Sequence, residues 1–421
     1  MNLKHAAAAL ALTSLVAAGA AQAAPKEITV AIASTFTTLD PYDASDTLSQ
    51  TASKSFYEGL FTFDKDMKVI DALATDYKVS DDGLVYTVTL RKGVKFHDGS
   101  EFQADAVKAN FDRVTNKANG LKRYMLYQNI EKTEVIDPYT VRFTLKKPFS
   151  SFINQLAHPA GVMICPSTLA NKTNKQIAFE PCGTGPYTLD KYNPSEGMRV
   201  VKNPNYWQAG FPKLDAINWK PVVENSTRVA MLLTGEAQFA FPLPAEQVKQ
   251  VQGKDQVRLD ITPSIILRYV EMNMSKKPFQ DKRVREALNY AINKEALCKV
   301  AFAGYADPAT GYAPAAIDFA EKLGPWPYDP KKARELLKEA GYGSGLTINL
   351  WSGYNHTTAQ KVIQFLQQQL AQVGIKSNIR ALEAGQRTAL VESVPTPDKS
   401  QHDLYYIGWS SSTGELDYAI R

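Results

Sequence analysis

The sequence predicts an α/β protein folded in at least two lobes, and three features point there. The chain has 421 residues, 44% of them hydrophobic, which is more than a single core holds and apolar enough to fill several. A strand, an amphipathic helix and a second strand follow one another between Leu346 and Leu382, the pattern of a parallel sheet with helices on its faces. Between Val85 and Leu145, two period-two stretches bracket a helical one, which reads as a smaller α+β unit.

From the start of the chain, Met1-Asn2-Leu3-Lys4-His5 leads into an apolar run from Ala6 to Ala21, and Ala21 and Ala23 are small where signal peptidase cuts. The expected leader is therefore 1–23, with a mature chain from Ala24 exported to the periplasm. The run is short and rich in alanine, and no cysteine follows it to carry a lipid. Ile28 to Ile32 alternates as a strand and opens into the turn-forming Thr35 to Pro41. The strands Val85–Leu90 and Val141–Leu145 each follow a turn, Asp81-Asp82-Gly83 and Asp137-Pro138. Between them Ala106, Val107, Asn110, Phe111 and Val114 mark one face of a helix.

In the later half, Val284, Ala287, Leu288 and Ala291 share a helical face, and Asn293 is placed to cap the next helix. Asp329-Pro330 supplies a cap and an N1 proline for a helix ending near Gly341. Then come the strand Leu346–Leu350, a helix from Ala359 to Val373 ended by Gly374, and a strand from Ile375 to Leu382. Asp403 to Ile407 forms a last apolar strand that opens into Gly408-Trp409-Ser410-Ser411-Ser412-Thr413-Gly414-Glu415.

Composition excludes several functions. Lys and Arg exceed Asp and Glu by only 48 to 43, and the charges are scattered, so no nucleic-acid grip is expected. The histidines His5, His97, His158, His356 and His402 share no metal-ligand spacing, and no HExxH, GxSxG or Walker loop occurs. Gly183-Thr184-Gly185-Pro186 reads as a tight turn between strands. Cys165 and Cys182 flank a short helix-plus-loop segment, where a disulfide and a pair of buried free thiols are both compatible with the sequence.

Several stretches together resemble the periplasmic solute-binding proteins of the dipeptide, oligopeptide and nickel import family. They are Val79 to Tyr86, Leu90 to Gly99, Gly183 to Tyr187, Asn203-Pro204-Asn205-Tyr206-Trp207, Arg283 to Ile292 and Ala340-Gly341-Tyr342. Within the family the resemblance is greatest to its glutathione-binding members, through Phe36 to Ala44, Gly235 to Pro242, Ala301 to Tyr305 and Thr358 to Val362.

The resemblance implies a two-lobed α/β periplasmic binding protein with a hinge-closing cleft and an inserted α+β subdomain. It places 24–56 and 183–268 in the first lobe, 57–182 in the insertion and 269–421 in the second lobe. It implies a monomer with no cofactor that captures glutathione or another short peptide for an inner-membrane ABC permease. A secreted hydrolase is the alternative of a different class.

Family members pair the ligand's ammonium with an aspartate after the Gly-Trp strand end, which corresponds here to Asp417, with Glu415 able to substitute. Glutathione carries two carboxylates, so a cleft cation is expected, with Arg123, Arg268 and Arg387 as candidates. Hydroxyls of Thr37, Thr38, Ser410, Ser411 and Thr413 suit peptide groups. Tyr354, Asn355 and His356 follow a strand end, and Trp409 offers a packing face. The family continues beyond the position of Arg421, so the 24–421 product is expected to aggregate or to be partly molten, with residues after about Ile375 least ordered.

Overall fold

The computed structural model describes residues 26–314, 317 and 320–416; the expected leader and Asp417 lie outside them. Strand β1 (Glu27–Ile32) becomes buried toward its end. The following turn is set by Thr38, whose hydroxyl accepts from the Asp40 amide at 3.0 Å. Asp40 in turn forms a buried ion pair with Arg113. Strands β2 (Phe61–Phe63) and β3 (Val69–Asp71) form a short antiparallel ladder.

Next, β4 (Ala74–Val79), β5 (Val85–Leu90), β6 (Ile130–Asp137) and β7 (Thr140–Leu145) build an antiparallel sheet in the order β4-β5-β7-β6. The helix Ala104–Thr115 buries the face read from the sequence. Asn110 is tolerated in that core because its amide is fully used. It donates to the carbonyls of Ala106 and Ile164, each at 2.9 Å, and accepts from the Ile164 amide at 3.0 Å. Cys165 and Cys182 form a disulfide with Cα atoms 5.4 Å apart, which decides between the two sequence alternatives. The segment it closes holds two short helices, Pro166–Asn171 and Asn174–Ile177.

Strands β8 (Tyr187–Asn193), β9 (Gly197–Lys202), β10 (Ala216–Pro221) and β11 (Phe239–Phe241) join β1 in a five-stranded sheet ordered β11-β1-β10-β9-β8. β1 is parallel to both β10 and β11. The helix Asn225–Thr234 makes the crossover between them, capped by Glu224 and stopped by Gly235 at φ +78°. One continuous core runs from Val30 through Phe111 and Phe152 to Val200, tying this sheet to the antiparallel one.

The glycine and aromatic motifs of this half meet at Glu58. Its half-buried carboxylate accepts from Thr184 Oγ1 at 2.9 Å, Tyr206 Oη at 2.7 Å and Trp207 Nε1 at 2.9 Å. Desolvation raises its pKa while these bonds oppose the rise. Gly183 and Gly185 have no room for a side chain, since a Cβ would come within 2.3 Å and 2.4 Å of the Phe56 backbone.

A second core is built on β12 (Ile266–Met272), β13 (Leu346–Ser352), β14 (Ile375–Ala381) and β15 (Leu404–Ser410), in the order β12-β15-β13-β14. β13 runs parallel to β14 and β15, and β12 antiparallel to β15 along its full length. Helices Lys282–Ala291, Lys294–Phe302, Pro330–Glu339 and Thr357–Ala371 supply its cover, three of them capped by Asp281, Asn293 and Asp329. Gly341 and Gly374 follow their helices at φ +88° and +87°, where a side chain would be strained.

Candidate functional site

The second sheet ends in a cluster of cationic and aromatic groups. Past β13 the chain turns sharply. Tyr354 N donates to Ser352 Oγ at 3.0 Å, and that hydroxyl donates to the Tyr354 carbonyl at 2.7 Å. The turn brings the Tyr354 hydroxyl to the backbone of β15, where it accepts from the Gly408 amide at 3.0 Å.

Arg268 on β12 lies opposite Gly408 in the ladder. Its guanidinium carbon sits 4.6 Å from the centre of the Tyr354 ring. It crosses directly over Gly408, where a Cβ would come within 2.4 Å of Nη1. The glycine of the Gly-Trp strand end leaves the space that the arginine side chain occupies. Arg268 is exposed, and no carboxylate pairs with it among the described residues.

Around this pair, Tyr406 packs edge-on to Tyr354 at 6.1 Å. Its pKa is pushed up to about 12 by burial, which the Arg268 charge partly opposes. His356 caps the helix Thr357–Ala371 by accepting from the Ala359 amide on Nδ1 at 3.2 Å, and its ring lies 5.6 Å from that of Tyr354. Much of its surface reaches solvent, yet desolvation of the packed ring, followed by the Arg268 charge, lowers its pKa, while Glu246 acts in the opposite sense. Asn355 is exposed between them, and its carbonyl accepts from Gln360 at 2.7 Å.

Beyond β15, Trp409 and Ser410 are half-buried. The buried Ser411 donates to the Glu415 carbonyl at 2.6 Å and accepts from its amide at 3.0 Å; it lies 3.3 Å from the Thr413 hydroxyl. The Ser411 and Thr413 hydroxyls therefore shape their own loop. That loop reaches the first half of the molecule, where Asn154 donates to the Thr413 carbonyl at 3.0 Å and Gly414 lies against Met67 and Phe63.

The other candidates lie elsewhere. Thr37 donates to Asp46, and its amide donates to Ser49 Oγ at 2.9 Å, while Thr38 is buried in its turn. Arg123 holds the Ala44 carbonyl through Nε and Nη2 at 2.9 and 2.7 Å. Arg387 ends the short helix Ala384–Arg387 after β14. The structure thus groups Arg268, Tyr354, Asn355 and His356 near the end of β15, and gives Thr37, Thr38 and Arg123 structural bonds on another segment.

Glu246, in the 3-10 turn Ala245–Gln247, was not singled out by the sequence, although its charge acts on His356. Half-open pockets of about 240 and 280 Å³ lie in the first half, around Tyr77, Tyr86 and Asn154 and around Glu58, His158 and Tyr206. Neither includes Arg268 or Tyr354. Asp98 lies near Cys165 and Cys182 in a grouping of possible metal ligands, but both sulfurs are committed to the disulfide.

No helix among the described residues is long and apolar enough to cross a membrane. Residues 68–421 match the family described as bacterial extracellular solute-binding proteins, family 5 Middle. The chain is 60% identical over 413 residues to the glutathione-binding protein GsiB of Salmonella choleraesuis, covering 98% of this chain and 80% of that protein. It is 59% identical over 397 residues to GsiB of Escherichia coli O1:K1 / APEC, covering 94% of this chain and 77% of that one.

Its fold is similar to that of the periplasmic binding protein DppA from Helicobacter pylori in complex with the peptide STSA. The TM-score is 0.82 at 29% identity, over 94% of this chain and 81% of that one. NikZ from Campylobacter jejuni in complex with Ni(L-His) gives 0.80 at 27%, over 92% and 78%. The two cores and their sheets are thus those of a two-lobed binding protein. The chain belongs to the family 5 bacterial extracellular solute-binding proteins, and it is a receptor and not an enzyme.

Proposed function

We propose that this protein is the periplasmic receptor of an ABC importer that captures glutathione and hands it to the membrane permease. The observation that carries the reading is Arg268, an exposed guanidinium with no carboxylate partner among the described residues, held over Tyr354 and across Gly408. A fixed guanidinium plane suits two parallel hydrogen bonds to a carboxylate, and glutathione offers two carboxylates. Arg387 is the candidate for the second. Trp409 supplies a packing face, and Ser410 a hydroxyl for the peptide groups. Two relatives about 60% identical are named glutathione-binding proteins, which supports this ligand over other short peptides.

On this reading 1–23 is the cleaved leader that takes a monomeric protein to the periplasm. Segments 24–56 and 183–268, with 57–182 inserted, close on 269–421 about the crossing strands. Calorimetric titration of ligand-stripped mature protein with reduced glutathione, oxidised glutathione and a dipeptide panel tests it. Glutathione should bind more tightly than any dipeptide, and Arg268→Gln should weaken it by about 1.5 to 3 kcal/mol, the scale of hydrogen bonds to a charged group. Equal affinity for dipeptides would make the protein a general short-peptide receptor, the reading favoured by the likeness to DppA bound to STSA.

A further inference from the structure

We infer that Asn154 is a positioning residue for the ligand site: from the first half of the molecule it holds the loop that follows β15, and so ties release of the ligand to opening of the cleft. This deepens the receptor reading and rests on it, with glutathione entering only as the probe.

Asn154 lies on the short helix Phe152–Ala157. Phe152, Ile153, Gln155, Leu156 and Ala157 are buried, and Asn154 alone in the helix is half-buried. Its amide therefore stands on a platform fixed by the first core. Nδ2 donates to the Thr413 carbonyl at 3.0 Å, joining groups 259 positions apart in the sequence.

A second, apolar grip lies on the same loop. The tip between β2 and β3 is shaped by Asp64, whose Oδ1 accepts from the Asp66 and Lys68 amides at 2.8 and 2.9 Å. Met67 is left at φ +62°, a conformation uncommon for any residue with a side chain and one that persists where the surroundings hold it. Lys65, Asp66 and Lys68 are exposed, whereas Met67 is half-buried. The loop comes against it, since a Cβ on Gly414 would lie 3.5 Å from Met67 Cε and 3.8 Å from Phe63 Cε1.

The gripped loop continues the strand end that carries the cationic cluster. Gly408, under Arg268 and bonded to Tyr354, leads directly into it. Ser411 bonds both the amide and the carbonyl of Glu415, so the loop moves as one piece instead of absorbing a displacement. Parting the halves breaks the Asn154 bond and lifts Gly414 from Met67, although neither residue touches the ligand. A contact made only in the closed form stabilises that form and leaves the open one unchanged. Its loss is therefore read in dissociation and not in association.

The test compares wild-type mature protein with Asn154→Asp and Met67→Ala, by surface plasmon resonance with reduced glutathione passed over the immobilised protein. Asn154→Asp removes the donor at nearly constant shape and sets an anionic oxygen against the Thr413 carbonyl. Release should quicken about fivefold, the scale of one hydrogen bond, with association within about twofold of wild type. Met67→Ala should act in the same direction. Thermal unfolding is followed with and without saturating glutathione. Free wild type and free Asn154→Asp should melt together, and the ligated variant should melt below ligated wild type. A variant destabilised equally with and without ligand makes the bond a fixed structural one and overturns the inference. So does an unchanged release rate, or a loss of affinity carried by association alone. A wild-type protein that binds no glutathione defeats the glutathione reading instead, and the same comparison with the dipeptide panel then decides the role of Asn154.

Discussion

At the scale of single residues, the cleft shows how one side chain dictates another. Arg268 occupies the space that a side chain at Gly408 would take. Gly408→Ala should push the guanidinium off Tyr354, lowering glutathione affinity about tenfold with little loss of stability, because the exposed arginine can move aside. Titration and urea unfolding of the same variant separate the two effects. His158 makes a different case. It is buried, and desolvation, with a smaller effect from Arg123, holds its pKa well below the ordinary value. The unfolded chain therefore takes up a proton that the folded one refuses. The stability this confers is complete above about pH 6.5 and is lost as pH falls below it, at up to about 1.4 kcal/mol per unit. His158→Asn, which keeps an acceptor for the Ala160 amide now bonded at 3.0 Å, should flatten the fall in stability between pH 6.5 and 5 by as much as one proton. An unchanged slope would place that proton on another histidine.

At the scale of elements, the disulfide joins the ends of a loop spanning 17 residues. The paired variant Cys165→Ser, Cys182→Ser should lose about 3 kcal/mol in urea unfolding, and reductant should destabilise the native protein by a similar amount and leave the variant unaffected. Much at this scale was legible beforehand. Caps at Asn293 and Asp329 and stops at Gly341 and Gly374 were read for the second-core helices, because capping is local chemistry. The pairing of β1 with β10 and β11 was not legible, since those partners lie far along the chain and their selection depends on the assembled core. Cleft readings divided in the same way. Tyr354 and His356 were candidates because they follow a strand end, and Arg268 only as one of three arginines. Thr37 and Thr38 offered hydroxyls of the right kind, but the first donates to Asp46 and the second accepts from the Asp40 amide in its turn.

At the scale of the whole molecule, a ligand held between the lobes stabilises the folded state by mass action, so glutathione at about a hundredfold its Kd should add about 2.7 kcal/mol. Differential scanning calorimetry should show the matching rise in unfolding midpoint, and small-angle scattering a smaller radius of gyration, as the cleft closes. A rise without contraction would mean that the ligand binds an already closed form. The shared core described above has a further consequence for this motion. The five-stranded sheet and the antiparallel sheet interlock through Phe111, Phe152 and Val200, so the stretch between them cannot swing by itself. Closure then moves two bodies against each other, whatever the number of segments in the chain. One pair of fluorophores, placed on exposed residues of the two halves such as Lys65 and Lys331, would then report that closure, and a second pair placed within the first half would stay silent.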